Sequence, residues 1–512
     1  MATFNTSTKH ALRDTNRSGH AAYAYPDEKT RLVTYTATCL VGEPKFYGDT
    51  ESELEVCAAA VAATDPAFVA RLAIYTRRVL MLRSVSQLLV CILAESPAAR
   101  GTGLIRAAAR GIVRRGDDVC GTVACWKTRH PDASLPDGLR KGLRDAMETF
   151  SPEDITRYLC EHHAVTMRDA LRIVRPSTDN AELARAFHEC VRRTARRPET
   201  WETELSARGN TAEVWADLFA HHRVAPMAAV RNLRNMLDAH ADLQPAIDLL
   251  GDPEAIKRSG ILPFRLYAAW AALTQVHTAR FRATRDCTPC VVPSALVKAI
   301  DAALAASVDN LSELPGKTIV IVDGSGSMFQ TLSQDGSVTV LECAATLAAG
   351  IATRCEDICL IVFDNDARIV PLTAPASPLS SIRDIVSACD GGITNMASAV
   401  KLAAQCGVDA DRVIIISDNE VNSGYRNTLT TLADNYRKTV GHDVWFHGWD
   451  IAGYGTTQIA GPKTSYICGF SDRVIDLVAL AETGFDSITK RIEHVCLPER
   501  GSRIKAEVAY NE

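Results

Sequence analysis

The chain of 512 residues is 47% apolar and 23% charged, with a formal net charge of −5. One hydrophobic core rarely serves so long a chain, so we expect two or three folded domains rather than disorder. No signal-peptide pattern opens the chain and no apolar run is long enough to cross a bilayer, so neither export nor a membrane partner is expected. The sixteen cysteines lie mostly singly in apolar segments, which favours a reducing, cytoplasmic location.

Residues 1–40 are polar and mixed in charge, and they form a predicted N-terminal arm. A helical pattern follows, with apolar residues three and four apart in segments that Gly, Pro, Asp or Asn separate. The clearest segments are 67–82, 84–94, 138–150, 182–196, 211–221 and 227–239. Asp65-Pro66 and Ser151-Pro152 each place a capping side chain before a proline, as helix starts do. Successive short helices predict a helical-repeat, HEAT-like domain over residues 41–310.

The pattern changes at Pro315-Gly316, where continuous apolar runs begin to alternate with helical segments. The first run, at 317–323, is rich in β-branched residues, and similar runs recur at 358–363, 412–417 and 443–446. Strands that are apolar throughout are buried on both faces, and their alternation with helices is typical of a parallel sheet. We therefore predict a doubly wound α/β domain over residues 311–512.

Five oxygen-bearing residues fall in loops that follow strands of this predicted sheet. Asp323, Ser325 and Ser327 come directly after the first strand, Thr394 precedes a helix, and Asp418 ends the third strand. Loops at the carboxyl ends of parallel strands converge, so these side chains should meet. An incomplete, all-oxygen ligand set suits Mg²⁺ or another divalent cation. The spacing is similar to the metal-ion-dependent adhesion site of von Willebrand factor A-like domains.

Charge is distributed unequally along the chain. Residues 1–300 hold 40 Lys and Arg against 34 Asp and Glu, whereas residues 301–512 hold 16 against 27. Arginine fits phosphate bidentately, so its clustering in one half indicates nucleic acid. Solvated helix faces explain any single cluster equally well. The clusters are the pairs at 77–78, 114–115, 192–193 and 196–197.

No arrangement of residues predicts catalysis. Residues 315–318 read PGKT, as at the end of a phosphate-binding loop, but the first glycine of that motif would fall on Leu311. The segment also precedes its strand instead of following it. No nucleophile motif or Cys/His/Asp arrangement stands out, so the chain is not expected to be an enzyme.

The order of a helical array and an A-type domain resembles the bacterial-type Ro family, named after the 60 kDa Ro autoantigen, whose helical part is the TROVE module. Stretches similar to that family are residues 72–77, 135–143, 167–172, 227–236, 262–265, 322–328 and 417–420. The resemblance implies a closed helical ring with a positively charged hole beside a von Willebrand factor A-like domain. It also implies a non-enzymatic ribonucleoprotein component that binds small Y-type RNA and the 3′ ends of misfolded structured RNA for quality control. An exoribonuclease tethered through the RNA is a further implied partner.

Such a protein needs Lys and Arg side chains that contact phosphate. The candidates are Lys141, Arg144, Arg168, Arg172, Arg175, Arg231, Arg234, Arg258 and Arg265. Two positions depart from the family pattern: Arg175 replaces a histidine of vertebrate Ro proteins, and Asn395 follows Thr394 where an Asp is usual.

A second hypothesis stays open. A metal-dependent protein-binding adaptor would use the five oxygen ligands to capture an acidic partner, and the helical array would have no role with RNA. Under either hypothesis we expect a monomer.

Overall fold

The computed structural model describes residues 13–16, 21–24, 27–39, 50–159, 163–283, 292–309, 311–332, 338–374, 376–407, 409–421, 428–454, 456–469, 475–482 and 488–498. The chain divides into two compact units. The first unit comprises Met1–Tyr25, Glu43–Gly48 and Thr200–Asp486, and the second comprises Pro26–Gly42, Asp49–Glu199 and Ser487–Glu512. This division differs from the boundaries predicted at residues 40 and 310, which stay predictions about domain families.

The second unit is helical over its described residues. Its helices are α1 (Glu28–Thr38), α2 (Thr50–Thr64), α3 (Pro66–Arg78), α4 (Arg83–Glu95), α5 (Leu104–Ile112), α6 (Gly116–Arg129), α7 (Asp137–Met147), α8 (Pro152–Arg157), α9 (Met167–Val174), α10 (Ala181–Arg192) and α23 (Ile488–Glu493), with a 3₁₀ turn at Pro97–Ala99. Asp65 and Ser151 cap α3 and α8 through their side chains, as predicted. Helix α3 packs against α2, α4 and α5, and α5 packs against α7.

The adjacent arginines at 77–78 hold this helical packing together. Arg77 is 6% exposed and donates two hydrogen bonds to Asp118, at 3.0 and 2.8 Å. Arg78 is also buried and donates to the carbonyl oxygens of Gly111 and Val113. Both guanidinium groups are therefore internal, and this pair does not contribute to a nucleic-acid surface.

Among the described residues of the first unit, seven helices precede the long strands of the sheet. The helices are α11 (Trp201–Arg208), α12 (Ala212–Ala220), α13 (Pro226–Asp238), α14 (Gln244–Gly251), α15 (Pro253–Ser259), α16 (Pro263–Ala283) and α17 (Ser294–Val308). The change from helices to alternating strands and helices lies near the predicted position, since α17 ends at Val308 and the first long strand begins at Leu314.

The sheet has six strands within the part of the chain that the structure describes. In chain order they are β3 (Leu314–Asp323), β4 (Cys355–Phe363), β5 (Ala367–Ile369), β6 (Arg412–Ser417), β7 (Trp445–Asp450) and β9 (Thr464–Cys468). Their spatial order is β5-β4-β3-β6-β7-β9, and all neighbouring pairs are parallel except β4 and β5. The antiparallel edge strand β5 was not predicted. The helices of this part are α18 (Val340–Ala352), α19 (Pro378–Ser387), α20 (Met396–Gln405), α21 (Thr428–Val440) and α22 (Ile475–Glu482).

Part of the predicted N-terminal arm belongs to the first unit. Strands β1 (Arg13–Thr15) and β2 (Ala21–Ala24) form a small antiparallel sheet with β8 (Thr456–Thr457). The buried Asn16 donates its side-chain N–H to the carbonyl oxygen of Val421 at 2.7 Å. The arm thus supports the loop that follows β6.

Within the described part of the chain, no helix combines the length and the apolar character that crossing a membrane requires.

Candidate functional site

The candidate metal ligands lie where the sequence predicted, at the carboxyl edge of the central parallel strands. Asp323 is the last residue of β3, Asp418 follows β6 directly, and Thr394 lies in the loop before α20. All three are buried, with exposed fractions of 0–2%. Strand β3 lies between β4 and β6, so the loops after these strands share one edge of the sheet.

The loop that carries the two serines is held by hydrogen bonds at both ends. The Ser325 N–H donates to Asp323 Oδ1 at 2.9 Å, and the hydroxyl oxygens of Ser325 and Ser327 are 3.4 Å apart. The Gly326 N–H donates to the carbonyl oxygen of Gly392 at 3.1 Å. Because residue 392 lies two positions before Thr394, this bond joins the serine loop to the threonine loop.

The buried carboxyl groups at the site have shifted acidities. Burial raises the pKa of Asp323 to about 6, against the hydrogen bonds from Ser417 and Ser325. Burial raises the pKa of Asp418 to about 8, and the charge of Asp323 adds to this shift. No Lys or Arg forms a salt bridge with either carboxylate among the described residues. Two buried acids without a basic partner create a local deficit of positive charge that a cation can fill.

The chemistry of the donors fits a hard divalent cation. Within the described residues, no cluster of three or more His, Cys, Asp or Glu side chains could hold a metal ion. A cation at this edge would therefore depend on serine and threonine oxygens in addition to Asp323 and Asp418. Carboxylate and hydroxyl oxygens with remaining water positions are the surroundings that Mg²⁺ prefers.

Two supporting residues, Ser417 and Asp364, were not among the predicted ligands. The Ser417 hydroxyl donates to Asp323 Oδ2 at 2.5 Å and accepts from the Asn419 N–H at 3.0 Å. Asp364 follows β4, is 2% exposed and receives two hydrogen bonds from Arg368. Burial opposes its ionisation, but Arg368 holds the pKa of Asp364 below its usual value. A polar residue at the end of each buried strand is the sequence signal that could have identified both.

The unusual Asn395 has a structural role in the same loop system. Its N–H donates to the carbonyl oxygen of Asp364 at 3.0 Å, and its side-chain N–H donates to that of Asn365, also at 3.0 Å. An Asp side chain could not donate the second bond. The departure from the family pattern therefore fastens the threonine loop to the loop that follows β4.

Apolar side chains border the candidate metal ligands. Phe329 and Ile393 are 42% and 46% exposed, and they are two of only five large apolar side chains classed as exposed among the described residues. The Phe329 ring lies against Gly391, whose φ of +70° and close ring contact leave little room for a side chain. Two of the site loops thus each present an apolar residue to solvent.

The candidate RNA-binding residues of the second unit differ in whether their side chains already pair with other residues of the protein. Lys141 is exposed but pairs with Asp137 at 2.6 Å. Arg144 Nη2 donates to the carbonyl oxygen of Val174, and Arg168 Nε donates to that of Val191. Arg175 adopts a left-handed conformation, with a φ of 54°, as the C-cap of α9. Arg172 is exposed and makes no ion pair or side-chain hydrogen bond within the described residues.

The candidates of the first unit are more accessible. Arg231 and Arg234 lie three residues apart on α13, and Arg258 is on α15. All three are exposed and, within the described ranges, none forms an ion pair or side-chain hydrogen bond. Arg265 on α16 is exposed too, and α13 packs against both α15 and α16. These four residues therefore lie on α13 and on the two helices that α13 contacts.

The PGKT segment has no feature of a phosphate-binding loop. It lies within β3, where Gly316 has a φ of +84° and the Lys317 N–H donates to Asp411 Oδ2 at 2.8 Å. A side chain at position 316 would collide with the same carboxylate. The glycine thus serves the close approach of Asp411 at the start of the strand.

Comparisons with known proteins agree with this architecture. The TROVE domain family matches residues 191–291, and the Ro60 vWA domain family matches residues 317–479. The chain belongs to the Ro60 family. The fold of this Ro60-family chain resembles the crystal structure of the Deinococcus radiodurans RO (RSR) protein, with a TM-score of 0.62, 17% identity and coverage of 89% of this chain and 100% of that one. The predicted fold class, a helical array followed by a von Willebrand factor A-like domain, is confirmed.

Curated relatives match parts of the Ro60-family chain. RNA-binding protein RO60 of Deinococcus radiodurans is 28% identical over 204 residues, which are 39% of this chain and 37% of that protein. Telomerase protein component 1 of Mus musculus is 40% identical over 79 residues, which are 14% of this chain and 3% of that protein. The chain therefore spans well under two thirds of the length of the curated relatives that it matches.

Proposed function

We propose that the protein binds RNA as a ribonucleoprotein component and does not act as an enzyme. The observation that carries this proposal is a set of exposed arginines on contacting helices of the region that matches the TROVE family, which form no ion pair within the described residues: Arg231, Arg234 and Arg258. An arginine that has no acidic neighbour can give its full charge and its planar donor geometry to a phosphate. The printed name of the Deinococcus relative, RNA-binding protein RO60, agrees with this function.

The finer proposal concerns the RNA. Phosphate contacts without base-edge contacts recognise shape and single-stranded ends rather than sequence. We therefore propose small Y-type RNAs and the 3′ ends of misfolded structured RNAs as ligands, in quality control or degradation. An exoribonuclease would join such a complex through the RNA. The protein would act as a cytoplasmic monomer, and the thirteen described cysteines, none of which forms a disulfide with another, agree with a reducing compartment.

The test is a binding titration with an RNA hairpin that bears a single-stranded 3′ tail, at low salt. The double variant Arg231→Ala/Arg234→Ala should bind more weakly than the parent protein. Arg208→Ala is the matched control, because Arg208 is an exposed arginine of the same unit that already pairs with Glu204 and Asp217. Equal affinities of the parent and the double variant would contradict a role for α13, and failure of the parent protein to retain RNA would overturn the proposal.

The candidate metal site supports a second function. Mg²⁺ held by Asp323, Ser325, Ser327, Thr394 and Asp418 would supply a positive charge with open positions for an acidic ligand. The exposed Phe329 and Ile393 favour a protein as the source of that ligand, because apolar anchors beside a charged contact are typical of protein interfaces. We propose a metal-dependent protein contact as the alternative function, which could exist with or without the RNA role.

The two functions separate in one experiment. A peptide with an acidic residue beside an aromatic one should bind the parent protein in Mg²⁺ and not in chelator. Phe329→Ser should weaken peptide binding while Mg²⁺ still stabilises the protein against heat. Peptide binding that is equal with and without Mg²⁺ would exclude the metal-dependent mechanism and would leave RNA binding untouched.

A further inference from the structure

A concave pocket of about 790 Å³ lies in the second unit, whereas the arginines of α13 belong to the first unit. The ends of α4 and α6, the loop before α5 and the start of α7 form its walls. Its volume falls in the range of about 300–1,000 Å³ that is usual for pockets that take small molecules. Nothing in the metal site or in the proposed phosphate contacts of α13 uses this pocket.

The inner surface of the pocket is apolar and aromatic. Ala94, Ala99 and Ile105 line it with almost completely buried side chains, and Trp126 contributes an aromatic surface. The half-buried His130 ring packs against Trp126, with ring centroids 4.2 Å apart. The Trp126 indole N–H is already donated to the carbonyl oxygen of Ser134, so the ring offers its apolar surface rather than its donor. Such a surface suits a flat, uncharged group.

The acidic residues of the pocket are neutralised within the protein. Glu95 receives two hydrogen bonds from Arg129, at 2.8 and 3.1 Å, and lies 2.9 Å from His130 Nε2. Asp137 pairs with Arg140 and Lys141. A ligand that enters the pocket therefore does not meet an uncompensated negative charge.

Arg100 supplies a positive charge that is available to a ligand of the pocket. Arg100 is exposed, lines the pocket and forms neither an ion pair nor a side-chain hydrogen bond within the described residues. The N-terminus of α5, which begins at Leu104 in the same wall, adds partial positive charge. The pocket thus joins a flat apolar interior to a rim that attracts an anion.

We propose that this pocket receives a single unstacked base of a bound RNA strand, with the phosphate of that nucleotide at Arg100. A nucleotide is the ligand class that combines a flat aromatic body with a phosphate at its edge. The inference rests on the proposed RNA-binding function and deepens it, since it adds a base contact to the proposed phosphate contacts. Base stacking on an aromatic side chain tolerates any base, so the pocket selects single-stranded over paired nucleotides and does not select a sequence.

The experiment uses the full chain and a tailed RNA hairpin that carries one 4-thiouridine at successive tail positions. Irradiation should crosslink one tail position to the peptide that contains Trp126 and His130. Arg100→Glu should reduce the yield of this crosslink about tenfold or more, because it places an anion opposite the phosphate. The Arg100 side chain has no partner within the described part of the chain, so the variant should fold normally, and circular dichroism checks this. Arg185→Glu is the matched control, since Arg185 is exposed on α10 and does not line the pocket.

A second pair of variants separates stacking from folding. His130→Ala and His130→Phe both remove the contact with Glu95, but only His130→Phe keeps an aromatic ring beside Trp126. The crosslink should fall about fivefold or more in His130→Ala and recover in His130→Phe. Equal yields in these two variants would mean that the ring does not stack on a base, and the proposal would fail.

The failures of the two proposals differ. If the RNA is retained but all crosslinks lie outside the pocket, the base site is wrong and the RNA-binding function stands. If the parent protein retains no RNA, the RNA-binding function fails and the base site fails with it. If adenosine monophosphate binds the pocket but no RNA crosslink appears there, the pocket takes a free nucleotide, and the RNA form of the proposal is overturned.

Discussion

Two regions of the protein present their charged side chains in opposite ways: the carboxyl edge of the sheet and the exposed faces of the helices that match the TROVE family. At the sheet edge, Asp323 and Asp418 are buried, hydrogen-bonded by serines and held at fixed positions by parallel strands. On the helices, Arg231 and Arg234 are exposed and make no side-chain hydrogen bond within the described residues. A small ion requires the first kind of site because its ligands must converge. A long polyanion can bind to the second kind of site because separate arginines can each contact a different phosphate.

This contrast predicts that mutations in the two regions differ most in their effect on stability. At the start of β6, the almost fully buried Arg412 donates two hydrogen bonds to Glu482, at 2.6 and 2.8 Å, and a third to Thr318. Arg412→Met leaves Glu482 without its arginine partner, and we expect the free energy of unfolding to fall by about 3–5 kcal/mol. The same change at the exposed Arg231 should alter it by only about 0.5 kcal/mol. Chemical denaturation measures both, and equal losses would contradict the contrast.

The second largest effect concerns the cation. Mg²⁺ at about 100 times its Kd should stabilise the parent protein by about 2.7 kcal/mol, because only the folded chain brings the ligands together. Asp323→Ala should abolish this increment and leave the affinity for tailed RNA unchanged. Thermal denaturation with Mg²⁺ and with chelator gives the first quantity, and an RNA titration gives the second. A parallel loss of RNA affinity would show that the two regions are coupled.

Acid should remove the contribution of His447 to the stability of the sheet region. Burial lowers the pKa of His447 below its usual value of about 6.5, although Glu482 opposes the shift. The unfolded chain therefore takes up this proton first, so the contribution of His447 is complete above about pH 6.5 and is lost as the pH drops below it. The raised pKa values of Asp323 and Asp418 act in the opposite sense, because the folded chain takes up their protons first. We therefore expect the difference in unfolding free energy between the parent and His447→Gln to shrink from about pH 7 to pH 5, and denaturation of both proteins at each pH measures it.

A smaller effect is expected on the salt dependence of RNA binding, and it should increase with the number of phosphate contacts that are removed. Each lost phosphate contact to a single strand lowers the slope of log K against log salt by about 0.7, so Arg231→Ala/Arg234→Ala should lower it by about 1.4. Titrations at a series of salt concentrations measure the slope. Asp323→Ala is the control and should keep the parent slope. A slope that stays the same in the double variant would place the phosphate contacts elsewhere.

The smallest predicted effect tests the N-terminal arm. Asn16→Ala removes the hydrogen bond to Val421, which lies three residues after Asp418, and should cost about 1 kcal/mol of stability. A weaker Mg²⁺ increment in the melting curve would show that the arm positions the Asp418 loop. An unchanged increment would limit the arm to general stability.

Local patterns in the sequence determined a large part of this protein. Alternation of apolar runs with helical segments fixed the fold class, since burial on both faces requires unbroken apolar strands. Strand β6 has the predicted bounds, Arg412–Ser417, and α3, α4 and α13 begin within one residue of prediction. The positions of Asp323 and Asp418 followed from the same pattern, because the carboxyl ends of parallel strands share one edge.

Only the tertiary structure decided which charges are available and which are internal. Arg77 and Arg231 are indistinguishable as sequence letters, yet the first is buried against Asp118 and the second is exposed. The support of Asp323 by Ser417, the exposure of Phe329 beside the metal ligands and the pocket around Trp126 also join residues that are distant along the chain. Periodicity reports which face of one element is apolar, whereas the partner of a side chain depends on how separate elements pack.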